Sequence, residues 1–177
     1  HAPEAAKKME LGPHRPIASV LAELQTGRRR LADLFEDRVL PALVPPWNRI
    51  DAAVIPRLPE IGIAGLSTYG PRPAREAAPG VGQVNTHVDI LAWRGARGFI
   101  GETAALDLLI RHLGQRRRRE VDPSEPTGLL THHLVHDEAA WRFLTTLLPR
   151  IAGDPRARWL AGGDVFGHGP RSPHDRP

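Results

Sequence analysis

Ile17, Val20, Leu21, Leu24, Leu31 and Leu34 recur at the spacing of one helix face, directly after a polar opening that holds three prolines. Pro16 fits the first helical position, where its missing N–H costs nothing. Residues 39–44 form a short apolar run that ends at Pro45-Pro46-Trp47-Asn48-Arg49, which reads as a buried strand entering a rigid loop. Asp51 is placed to cap a short helix through Leu58, closed by Pro59 and Gly62. Residues 63–68 read as a second strand, and the Pro- and Gly-rich stretch 69–82 as loop.

A third strand is predicted over 84–91, and an amphipathic helix over 102–113 with Leu106, Leu109, Ile110 and Leu113 on one face. Residues 120–126 read as a polar linker. A fourth strand runs from Gly128 until it meets His132 and His133. Asp137 is a natural cap for a helix carrying Trp141, Leu144, Leu148 and Ile151, and residues 158–160 read as a last short strand. From 162 to 177 the chain is Gly, Pro and charge, a composition that predicts disorder. Short strands alternating with helices predict an α/β fold with a mostly parallel sheet or barrel.

The 177 residues suffice for one domain with a hydrophobic core. No cysteine is present, so thiolate chemistry and disulfides are excluded and the redox compartment stays open, with the cytoplasm slightly favoured. No stretch reaches the roughly 18 apolar residues of a membrane span. The net charge of +4 rests largely on two Arg clusters, 28–30 and 116–119. No aromatic residue lies within either, so no base-stacking platform is suggested, and both fit solvated helix faces or ends.

In a parallel α/β fold, residues at the C-terminal ends of strands meet on one side of the sheet. Three polar groups fall at such places: Trp47-Asn48-Arg49, His87 with Asp89, and His132 with His133. On a strand, His87 and Asp89 share a face, whereas adjacent His132 and His133 point opposite ways. Each group also has a bland reading: a rigid loop with a core tryptophan, an exposed polar face, and a hydrogen-bonded structural histidine.

Taken in order, these segments resemble the polysaccharide deacetylases of the NodB-like superfamily, the family-four carbohydrate esterases. Val44-Pro45-Pro46-Trp47 is similar to that family's Arg-Pro-Pro-aromatic motif, with Val44 in place of the arginine and Arg49 nearby. Asp89 and Trp93 match an Asp four residues before a Trp, with Ala92 in place of a second Asp. Leu129-Leu130-Thr131-His132 matches an apolar strand ending in His, with His133 where Asp is usual and Asp137 opening the helix. The order and spacing of the segments carry the likeness more than any single motif.

The resemblance implies an incomplete (β/α) barrel of the NodB-like type, with residues 1–161 as the C-terminal portion of the domain. It implies a metal-dependent hydrolase that removes N-acetyl groups from a carbohydrate, with a divalent metal such as zinc. His132 would be the general acid and Asp89 its orienting partner, while Trp47 and Trp93 wall the pocket. Asn48, Arg49, His87 and His133 would complete the substrate site. The family's paired aspartates and its histidine pair fall before the matched region, so the chain alone is expected to be inactive, and His1 is the early residue that would join the metal set. A degenerate member that binds glycan without hydrolysis is the alternative, favoured by Val44 and Ala92. A nucleic-acid-binding module rests on the Arg clusters alone, and neither nucleic acid nor a membrane is an expected partner.

Overall fold

A computed structural model describes residues 7–93 and 97–166. The chain divides into two compact units. Among the described residues, the first holds 7–69, Pro73–Val84 and 161–166. The second holds Gly70–Arg72 and Asn85–Leu160.

In the first unit, helix α1 (Ile17–Phe35) turns Val20 and Leu21 into the core and packs Ile17 and Leu24 at its margin. Leu31 and Leu34, placed on the same face by spacing, stay exposed. Strands β1 (Ala42–Leu43), β2 (Gly65–Leu66), β3 (Glu76–Ala78) and β4 (Val81–Gln83) form one sheet in the order β1-β2-β4-β3. The first three are parallel, and β3 returns antiparallel on β4 around Gly80, whose φ of 78° favours glycine. This hairpin occupies the stretch that composition assigns to loop: its proline and glycine punctuate a turn rather than prevent pairing. Asp51 accepts the Ala53 amide at 3.1 Å, and a 3-10 helix over Ile55–Ile61 ends on Gly62 at φ 74°. Leu11, Val54, Leu58, Ile61, Ile63, Leu66 and Val81 complete the core.

The described part of the tail forms a short helix α2 at Gly162–Phe166, whose Phe166 ring lies against Gly65. Residues 167–177 lie outside the described residues.

In the second unit, β5 (Val88–Asp89) pairs parallel with β8 (Leu129–Leu130), and β6 (Leu91–Ala92) pairs antiparallel with β7 (Gly98–Phe99). Helix α3 (Glu102–Arg118) extends past the predicted end, and helix α4 (Glu138–Ala152) starts at its predicted cap, where Asp137 accepts the Ala140 amide at 2.8 Å. Val88, Ile90, Leu91, Ala105, Ala140, Phe143 and Leu144 form the core. On α3 the buried residues are Ala105 and His112, while Ile110 and Leu113 are exposed. Residues 158–160 form no strand. The fold is thus mixed α/β with parallel strands, and among the described residues no closed barrel forms. No described helix is long and apolar enough to cross a membrane.

A buried polar network ties the second unit together. Glu125, in the predicted polar linker, is fully buried. Its carboxyl accepts the backbone N–H of Asn85 at 2.8 Å and of Arg72 at 2.9 Å. The Arg72 guanidinium binds Asp122 at 2.7 and 3.0 Å. His87 accepts the Gly128 amide through Nδ1 at 3.0 Å, which places its proton on Nε2, 3.3 Å from Glu125. The His87 ring stacks on His112 with centroids 3.6 Å apart, and His112 Nδ1 lies 3.0 Å from the Thr127 hydroxyl. Gly128 permits this approach, since a Cβ there would come within 2.6 Å of the Asn85 carbonyl oxygen.

Burial, then the neighbouring His87 and Arg116, pushes the His112 imidazole down to about 4. Burial also lowers His87, against the opposing pull of Glu125. Below the ordinary histidine value of about 6.5, the unfolded chain therefore takes up protons that the folded unit refuses. Stability should fall as pH is lowered from about 6.5 to about 4. A melting series across that range should show it, and His112→Phe should flatten the slope. Replacing Glu125 by Ala strands two buried amides and should cost roughly 3 to 5 kcal/mol in urea unfolding.

Candidate functional site

Parallel pairing of β5 with β8 sets Asp89 against Leu130, so both strands end on the same side. Asp89 closes β5, and His132 follows β8 by two residues. Their side chains meet, with His132 Nε2 3.4 Å from Asp89 Oδ1. That is ion-pair range for a protonated imidazole, and longer than an ordinary N–H···O bond of about 2.9 Å. Both side chains remain partly exposed, at 27% and 19%, so solvent or a ligand has access.

Asp89 is fixed by two further donors. Oδ1 accepts the Leu91 amide at 3.0 Å, which locks the step from β5 into β6. Oδ2 accepts the Trp93 indole N–H at 2.9 Å. The Trp93 ring stands edge-on to the His132 ring, centroids 4.6 Å apart at 84°. Trp93 is half exposed, an apolar wall beside the Asp89–His132 pair. The four-residue spacing of Asp89 and Trp93 acts here through a direct hydrogen bond.

His136, the third of three histidines within five residues that by spacing could bind a metal, joins this site in another role. Its Nε2 accepts the His132 backbone N–H at 2.9 Å. His133 begins a one-turn 3-10 helix (His133–Val135) and is exposed. The His87 side chain is 1% exposed inside the Glu125 network, where it accepts the Gly128 amide.

Trp47, Asn48 and Arg49 belong to the first unit. Trp47 and Asn48 adopt left-handed backbone at φ 61° and 55°, a strained conformation for two successive non-glycine residues. Trp47 is half exposed, and its indole N–H donates to Glu10 at 3.3 Å with the Lys8 ammonium 5.0 Å from the ring centroid. Arg49 donates to the Lys8 carbonyl at 2.7 Å, which commits it to its own chain. His1 lies outside the described residues. Among the described residues no group of three or more His, Asp or Glu side chains meets as a metal site.

Comparison with protein-family models, curated proteins and solved structures finds no match to this chain. The site therefore stands on its own geometry: a carboxylate, an imidazole and an indole held together at paired strand ends.

Asp89 anchors both a backbone turn and an indole, whereas His132 anchors neither through its ring. Asp89→Ala should cost roughly 1 to 2 kcal/mol of stability, the effect of losing two hydrogen bonds at a partly exposed site. His132→Ala should stay within about 0.5 kcal/mol. Chemical denaturation of the two variants side by side measures the difference.

Proposed function

We propose that this chain is the C-terminal portion of a NodB-like polysaccharide deacetylase domain, an incomplete (β/α) barrel whose reaction removes N-acetyl groups from a carbohydrate. The observation that carries this reading is the meeting of Asp89, Trp93 and His132, the residues that match two of the family's motifs.

Hydrolysis of an N-acetyl group requires water to add to the amide carbonyl and give up a proton, for which the resemblance implies an aspartate outside the matched region. The tetrahedral adduct then collapses by expelling an amine, a poor leaving group until it is protonated. His132 supplies that proton. Its Nε2 faces Asp89, so Nδ1 is the nitrogen that donates to the departing amine. Asp89 stabilises the imidazolium and sets the ring's orientation, and Trp93 holds Asp89 while offering an apolar face to the sugar. The divalent metal implied by the resemblance has no ligand set among the described residues, and no step here runs through it.

Val44 and Ala92, in place of the family's Arg and Asp, favour a second reading: a member of the fold that binds glycan without hydrolysing it. The Arg clusters give little support to a nucleic-acid reading. Arg116 donates to Thr127 and to the Pro123 carbonyl, and Arg118 pairs with Glu120.

Titration with oligomers of N-acetylglucosamine and of glucosamine, read by tryptophan fluorescence, should show tighter binding of the acetylated form. Acetate release with added zinc or cobalt separates the two readings. Where release occurs, His132→Ala should lower turnover by on the order of a hundredfold. Because the chain alone is expected to be inactive, release is measured on the protein that carries the whole domain, and binding without release there in any metal would select the glycan-binding reading. Neither binding nor release would remove both.

A further inference from the structure

We propose that His136 is a positioning residue for His132: its neutral imidazole accepts the His132 backbone N–H and so fixes the turn that sets the His132 ring against Asp89 and Trp93. This rests on His132 as the proton donor of the site.

The turn between the two histidines is closed twice. Val135 N–H donates to the His132 carbonyl at 2.9 Å, and His132 N–H donates to His136 Nε2 at 2.9 Å. His136 is itself braced from behind. Its ring stands edge-on to Trp141 of α4, centroids 4.8 Å apart at 74°. The next residue, Asp137, is pinned by the amides of Ala140 and Phe99 at 2.8 and 3.1 Å. The His132 backbone is thereby tied to the start of α4 and, through Asp137, to β7.

Only a bare ring nitrogen accepts an N–H, so this bond requires His136 to be uncharged with its proton on Nδ1. Nδ1 is buried without a hydrogen-bond partner, a cost that the bond at Nε2 helps to offset. The titratable groups around the ring are His132 and His133 on the same turn and Asp137 beside it, while α4 presents the uncharged Trp141. Beyond His132 lies Asp89 of β5. Burial first, then the two neighbouring histidines, holds His136 below the ordinary imidazole value, with Asp137 opposing. The acceptor is therefore present at neutral pH and is lost when acid protonates the ring.

The first test is the tautomer of His136 in the 15N-labelled chain at neutral pH, read from long-range proton–nitrogen correlations. The Nδ1–H form is expected, and an Nε2–H form or an imidazolium would overturn the proposal. The second test compares two variants. His136→Phe keeps a ring against Trp141 but removes the acceptor, and His136→Gln keeps an acceptor within reach. Amide exchange at His132 should quicken on the order of tenfold in the Phe variant, as loss of one hydrogen bond predicts, and stay near wild type in the Gln variant. Equal exchange in the two variants would overturn it. If the Phe variant fails to fold, the tautomer measurement on the unaltered chain still decides. Neither readout uses acetate release, so failure of the deacetylase reading would appear as no release by the protein that carries the whole domain, with both readouts unchanged.

Discussion

The second unit depends on one buried carboxyl group. Glu125 is removed from water, and burying such a group costs several kcal/mol unless hydrogen bonds replace its hydration. Two backbone amides supply those hydrogen bonds, and the His87 imidazole edge lies 3.3 Å away. In return Glu125 joins residues 72 and 85 to the segment that leads into β8. His87 then grips Gly128, at the entrance to β8. The parallel pairing of β5 with β8 follows directly beyond these anchors, and with it the register that brings Asp89 beside Leu130.

The site exploits that register. A two-residue parallel pairing is weak by itself, since it holds few ladder bonds. Rigidity comes from side chains that bind backbone: Asp89 on Leu91, Asp137 on Ala140 and Phe99, and His136 on His132. The same Asp89 carboxylate faces both the Trp93 indole and the His132 imidazole. One group thus serves local folding and the orientation of the candidate acid. The histidines divide by burial: His87 and His112 sit in the interior network, while His132 reaches solvent.

What the sequence by itself determined was local. The period of apolar residues located α1, and Asp137 located the start of α4, because both signals act within one or two turns of chain. Strand-end logic brought Asp89, His132 and Trp47 forward together, because a parallel sheet aligns strand ends whatever lies between them; Asp89 and His132 meet in the second unit, whereas Trp47 belongs to the first. Tertiary structure decided the rest. Glu125 in a polar segment, and His87 one residue from a strand, carry no mark of burial, since burial depends on partners some 40 residues away. The same holds for α3, where His112 is buried and Ile110 exposed although spacing favoured the reverse. The β3–β4 hairpin was hidden because turn-forming residues read alike in a loop and in a hairpin until a neighbouring strand supplies the pairing. His136 stood out in the sequence only as one of three close histidines; its role here is a hydrogen bond to backbone, set by the fold of the turn and not by the pattern of side chains along it.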